Sequence, residues 1–281
     1  MDIRAIEKSK KLGYMFYIKY DGTKFFSFDE MKNKTTVKGK FKEIMDKIGF
    51  TWARGVQQAG RTDSKVSANE NILYVSSNNL VEINNIIEKF NEKSEYLKIT
   101  SCRLTLPNLE FPEFIEKREY IYRYPAKKIK RDDESIIKLC EKLSGTYDVS
   151  KFTTTKGKNL KEHIRSVEIK YLNKKLFFLG DSFMPQQVRI MSGYILVDRK
   201  EAIEGKYLTL NKVYLKEELK SMILQKSDIE MEGVEYIYET SNKKLKIFFV
   251  TSENKGKLIG KNGKNIKNLK EKFGNIVVRE I

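Results

Sequence analysis

The chain has 281 residues, enough for one or two domains with a sizeable core. A hydrophobic content of 40%, including 16 Phe and 15 Tyr, marks a folded protein and excludes a disordered one. Fifty-five Lys and Arg against 38 Asp and Glu leave a formal charge of +17, which favours a polyanionic partner; a solvated Lys-rich surface is the plainer alternative. No run approaches the ~18 apolar residues of a membrane span. The opening MDIRAIEKSKKLGYMF lacks a signal-peptide core, so a cytoplasmic protein without a membrane partner is expected.

In chain order, Tyr14–Tyr20 (YMFYIKY) is an aromatic strand ended by an Asp21-Gly22 turn. Thr35-Thr36 caps a helix with Val37, Phe41, Ile44, Met45 and Ile48 at near-3.6 spacing, stopped by Gly49. Phe50–Ala59 and Asn71–Ser76 read as strands flanking the loop AGRTDSKVSA, residues 59–68. Glycine lets that loop turn sharply and present Arg61 and Asp63. Taken alone, GRTD is equally a hairpin turn with a solvated charge pair. A helix over Leu80–Asn91 and a strand over Leu97–Leu104 complete a β-α-β-β-α-β, split-βαβ order.

A second, similar half follows. Lys117–Tyr124 (KREYIYRY) is a strand, Glu134–Leu143 a helix, and residues 164–172 and 175–180 a hairpin over Asn173-Lys174. Gln186–Arg199 is a helix with Val188, Met191, Ile195 and Leu196 on one face. Two such halves side by side would frame a long basic cleft.

The scarce residues restrict the chemistry. Cys102 and Cys140 are isolated, so neither a disulfide framework nor a zinc cluster is signalled, and no metal site is expected. His163 is the only histidine and lies in a strand-like context, which disfavours a Ser-His-Asp mechanism. Acid–base work falls to Asp, Glu, Tyr or Lys.

After Gly205 the character changes, and residues 241–281 hold eleven Lys/Arg against three Asp/Glu. The spacing predicts a helix over Tyr214–Leu224, strands over 234–239 and 244–250, a short helix to Ile259, a helix to Phe273 and a last strand. Between the last two helices stands Gly260-Lys261-Asn262-Gly263, followed by Lys264. This α-β-β-α-α-β order resembles a type II KH module, whose GxxG backbone approaches RNA phosphates. A plain helix-turn-helix surface is the alternative.

Residues 13–199 resemble the tRNA pseudouridine synthase A family. YDGTKFFSF (20–28), TTVKGKFKEI (35–44), AGRTDSKVSA, KREYIYRY, GTYDVSKF (145–152) and FMPQQVRIMSG (183–193) are similar to six family motifs, in the family's order. The resemblance implies an α+β pseudouridine synthase fold: two ferredoxin-like halves (about 1–108 and 109–205) around a mixed, largely antiparallel sheet. Residues 206–281 form the KH-like domain in this reading. It implies a cofactor-free isomerase that breaks the uridine glycosidic bond and rejoins the base through C5. Asp63 falls on the catalytic aspartate, Arg189 on its basic partner, Tyr120 on the tyrosine that stacks on the flipped uracil, and Arg61 on the arginine linked with base extrusion.

The pattern is not kept throughout. Lys65 stands for a usual glycine, Ser67 for a frequent histidine, and Ser27-Phe28-Asp29 for Gly-Trp-Gln. Lys65 and the segment Gly260–Lys264 are the expected RNA contacts. The expected partner is structured RNA, above all a tRNA anticodon stem-loop, and the expected assembly a homodimer. A non-catalytic RNA-binding protein on the same scaffold, or a synthase for ribosomal RNA, are the rivals.

Overall fold

A computed structural model describes Ile6, Ser9 and residues 11–53, 55–78, 80–160 and 162–281. Among them the strands join one mixed sheet, ordered β13-β12-β11-β10-β4-β1-β3-β9-β5-β8-β7-β6, with β2 paired to β3. The first half supplies β1 (Leu12–Tyr20), α1 (Val37–Lys47), β2 (Gln57–Gln58), β3 (Ser67–Ser77), α2 (Ile83–Glu92) and β4 (Leu97–Thr105). Helix α1 starts where expected, because the Thr36 hydroxyl accepts from the Gly39 N–H and Val37, Phe41, Ile44 and Met45 are buried. The expected strand over Phe50–Ala59 shrinks to two residues. Phe50 turns inward, its ring 5.6 Å from Tyr14 and 6.0 Å from Phe16, while the Ala53 and Ala59 N–H groups donate to the Ser76 and Ile72 carbonyls of β3.

The second half supplies β5 (Ile115–Tyr122), α3 (Asp133–Leu143), β6 (Gly145–Asp148), a short α4 (Thr155–Lys158), β7 (Ile164–Leu172), β8 (Lys175–Gly180) and α5 (Gln187–Val197). Helix α5 is buried along nearly its whole length. Asn173 and Lys174 both adopt positive φ, as a tight hairpin requires.

The tail departs from the expected order at one place. Tyr214–Leu224 is not a helix: its first residues end β9 (Leu208–Leu215), Glu217–Met222 form a 3-10 turn, and Ile223 opens β10 (Ile223–Lys226). Alternation decides this against helix propensity. Leu208, Leu210 and Val213 are buried in β9, which runs parallel to β3 and antiparallel to β5 and so joins the two halves. Although β9 follows Gly205, it lies in the middle of the sheet. Then come β11 (Tyr236–Thr240), β12 (Leu245–Val250), α6 (Ser252–Ile259), α7 (Lys264–Phe273) and β13 (Asn275–Glu280).

Cross-strand partners share a face of a sheet. Tyr20 opposes Ala68, Ala68 opposes Leu210, Leu210 opposes Tyr120, and Tyr120 opposes Phe178. All five are buried, so one line of side chains crosses β1, β3, β9, β5 and β8 and floors the junction of the halves. Among the described residues no helix is long and apolar enough to cross a membrane.

Candidate active site

The loop between β2 and β3 lies over this floor, and buried polar groups hold it there. The Tyr20 hydroxyl is 2.9 Å from Thr62 Oγ1. Asn71, fully buried, donates from Nδ2 to the Gly60 carbonyl at 2.9 Å and to the Tyr20 hydroxyl at 3.3 Å. From β5, Arg118 donates through Nε to the Ala59 carbonyl at 2.8 Å and through Nη1 to the Asp181 carbonyl at 2.6 Å. Gly22 completes the seat. A Cβ there would run into the Val66 backbone, and the Gly22 N–H donates to Ser67 Oγ at 3.0 Å. The YDG turn after β1 therefore needs its glycine for a close approach to the loop.

Within the loop the Val66 N–H returns to the Asp63 carbonyl at 3.1 Å, and Lys65 takes a left-handed φ of 63°. That conformation explains the departure at Lys65: the position calls for positive φ, which glycine meets without strain and lysine meets at some cost. The Lys65 side chain points into solvent, as an RNA contact requires.

The turn aims Asp63 at the start of α5. Its Oδ2 is 3.7 Å from Arg189 Nη1, with 29% of the Asp63 side chain and 16% of the Arg189 side chain exposed. Arg189 is held from behind by a 2.7 Å bond from Nε to the Ile203 carbonyl. Burial pushes the Asp63 carboxyl above its ordinary value, and the Arg189 charge and the Gln186 backbone N–H pull it part of the way back. Tyr120 contributes to the same electrostatic neighbourhood, where desolvation raises its phenol well above the usual value and Tyr20, Arg118 and Asp63 all act on it. Its ring meets Phe183 edge-on at 5.3 Å. A basic hollow of about 600 Å³ continues from Arg189 along α5, past Lys127, Lys128, Lys130 and Arg199.

Comparison with known proteins gives one direction. No family model matches the chain. The tRNA pseudouridine synthase A of Pyrococcus abyssi is 27% identical over 244 residues, 83% of this chain and 89% of that protein. That of Picrophilus torridus is 25% identical over 190 residues, 67% and 72% of the two chains. That of Pyrococcus horikoshii reaches 30% over 153 residues, 54% and 56%. The chain is similar to tRNA pseudouridine synthase A over most of its length. A solved Cbf5-Nop10-Gar1 complex aligns with a TM-score of 0.34 and 10% identity, over 76% of this chain and 51% of that one.

Of the four residues carried over from the tRNA pseudouridine synthase A motifs, three converge. Asp63 and Arg189, from a loop and a helix, come to 3.7 Å, and Tyr120 on β5 lies in the floor within electrostatic reach of Asp63. Arg61 does not join them: it is two-thirds exposed and lies 3.5 Å from Asp29 Oδ2. His163 is away from the site, its Nε2 3.1 Å from the Lys158 carbonyl, and burial raises both cysteine thiols out of a reactive range. Tyr20, Asn71, Arg118 and Gln186 position the loop and were not singled out by residue type. The signal for Asn71 was a polar residue opening an otherwise apolar run, NILYV.

Proposed function

We propose that this chain is a pseudouridine synthase acting on structured RNA, with a uridine in a tRNA anticodon stem-loop as its target. The observation that carries the reading is the meeting of Asp63 and Arg189, 126 positions apart in the sequence and 3.7 Å apart in space, beside Tyr120. A carboxylate in a basic cleft repels phosphate, so a protein that only bound RNA would gain nothing from it. Arg189 supports the ionised form that a nucleophile or base requires.

In this reading Asp63 attacks C1′ of the ribose or takes a sugar proton, and the N1–C1′ bond breaks. The freed uracil turns on the Tyr120 ring and C5 bonds to C1′ as Asp63 leaves the sugar (the Asp63–C1′ bond breaks, or the sugar proton is returned); the C5 proton then leaves and N1 gains a proton. The sum is an isomerisation with no cofactor. Arg61, two-thirds exposed, would fill the space that a flipped base vacates.

The tail would grip RNA at Gly260–Gly263. Gly260 (φ 74°), Asn262 (φ 54°) and Gly263 (φ 71°) all take positive φ, and a Cβ on Gly260 would come within 2.6 Å of Asn265. This tight backbone leaves Lys261 and Asn262 pointing outward.

The test is tritium release from tRNA labelled at uridine C5. Asp63→Asn is expected to lose at least about a thousandfold in turnover while binding RNA as the parent does. Residual turnover within about tenfold of the parent refutes the assignment.

A further inference from the structure

The tail carries its helices on the opposite face of the sheet from the cleft. On β1, Tyr14 and Tyr20 share the cleft face. Tyr14 opposes Leu104, Leu104 opposes Leu224, and Leu224 opposes Thr240. That face continues through Tyr238, Ile247 and Val277 and is buried with the main core. The residues between them, Ile237, Phe248 and Ile276, form a second small core with Leu258, Ile266 and Phe273 of α6 and α7. Successive strands twist by roughly 20–25°, so six steps from β9 to β12 accumulate roughly 120–150°. Such a twist would turn the reverse face of the tail toward the side on which the cleft opens. Six strand spacings put β12 about 29 Å across the sheet from β9.

Direct pairing fixes that separation. β10 pairs with β4, the Leu106 N–H donates to the Met222 carbonyl at 2.8 Å, and buried Arg279 of β13 donates to the carbonyls of Lys11 and Ile6. Beside the GxxG turn lies a groove of about 600 Å³. Met231, Leu258 and Leu269 give it apolar surface, and Asn254, Asn265 and Asn268 give it amides. Apolar walls with amide groups suit the face and edge of an unpaired base, and the surrounding lysines suit its phosphates.

We propose that one RNA molecule spans both sites, its target uridine at Asp63 and a separate unpaired segment, several strands away across the sheet, in the groove beside Gly260–Gly263. This rests on reading the chain as an RNA-modifying enzyme. The tail thus acts as a ruler in the sheet, selecting RNAs that offer a single-stranded stretch at a set distance from a structured target.

The experiment measures binding of hairpin RNAs with unpaired extensions of about 0, 4, 8 and 12 nucleotides, steps matched to a four-nucleotide GxxG clamp. Affinity is expected to stay level for the shortest extension and then to rise at least about tenfold once the extension spans the gap. Lys261→Asp with Asn262→Asp should abolish the rise. Asp is tolerated at the positive φ of residue 262, so the fold should survive. Lys264→Glu, exposed just past the loop, is the second variant and should lessen the rise. A level profile in the parent, a full gain at the shortest extension, or a rise that persists in both variants overturns the proposal. So does independent binding of two hairpins per chain. A failure of the catalytic reading would look different: no tritium release, with the length profile intact.

Discussion

Removing one hydroxyl, Tyr20→Phe, tests whether the loop that carries Asp63 is held by its buried polar contacts. The Tyr20 hydroxyl meets Thr62 at 2.9 Å and Asn71 at 3.3 Å. Tyr20 is 4% exposed and Thr62 7%, so solvent does not replace what is lost. Each bond contributes about 0.5–1.5 kcal/mol, and the expected destabilisation is about 1–3 kcal/mol. Asn71 keeps its bond to Gly60, so the loop should loosen at Thr62 without unfolding. Thr62 adjoins Asp63, and a displacement of about 1 Å at a reacting group lowers turnover by about a hundredfold. Single-turnover tritium release should therefore fall by about ten- to a hundredfold with RNA affinity unchanged. Thr62→Val removes only the Tyr20–Thr62 bond and should cost less, and the double variant should be little worse than Tyr20→Phe, because the bond to Thr62 is already lost there. Turnover within about threefold of the parent in Tyr20→Phe, or fully additive losses in the double variant, would refute the reasoning.

The remaining expectations concern charge. Arg189→Ala removes a cation that lowers the Asp63 pKa, so the acidic limb of the pH–rate profile should move to higher pH; an unmoved limb means the two do not interact in the working enzyme. The folded-state pKa of Asp63 is raised, so its contribution to stability is complete below the unfolded value and is lost as pH rises through the folded one. Asp63→Asn should accordingly raise the melting temperature at pH 7 and show no gain at pH 3, and a lower melting temperature at pH 7 contradicts this. Asp29 competes with RNA for Arg61 in an exposed pair worth about 0–1 kcal/mol, so Asp29→Asn should tighten RNA binding by up to about fivefold at low salt. The gain should vanish when Arg61→Ala is also present, and a gain that survives places the effect elsewhere.

Local signals in the sequence marked the elements and left their assembly open. Thr36 and the apolar spacing after it were enough for α1, because a cap and a buried stripe are both local. The tail strand LKIFFV is buried on both faces, and only the apolar run IFFV at its end hinted at cover from two sides. The stretch YLKEELKSMIL has helix-forming composition, yet β9 and β10 find partners in β5 and β4, and pairing outweighed propensity. At the site, Asp63 and Arg189 were joined by resemblance to family motifs, since nothing in local spacing links residues so far apart. The Tyr20–Thr62–Asn71 contacts were hidden for the same reason. A buried hydrogen bond depends on which strands become neighbours, and that is a property of the whole sheet.

Tyr120 is where the buried environment most restricts the chemistry. Its ring lies on the floor against Phe183, and desolvation raises the phenol pKa far above its ordinary value, with Tyr20 and Asp63 pushing the same way and Arg118 opposing. A phenolate is therefore not available near neutral pH. On the proposed reading the hydroxyl would donate a hydrogen bond or pass a proton on, and would not serve as a standing base for the C5 proton. The pH–rate profile of the parent should then lack a basic limb belonging to Tyr120. Tyr120→Phe keeps the stacking ring and loses the relay, so turnover should fall at every pH while the shape of the profile and the RNA affinity stay as they were. Should the parent show a basic limb that disappears in Tyr120→Phe, the phenol ionises in the working complex and bound RNA must offset the desolvation that the free protein imposes.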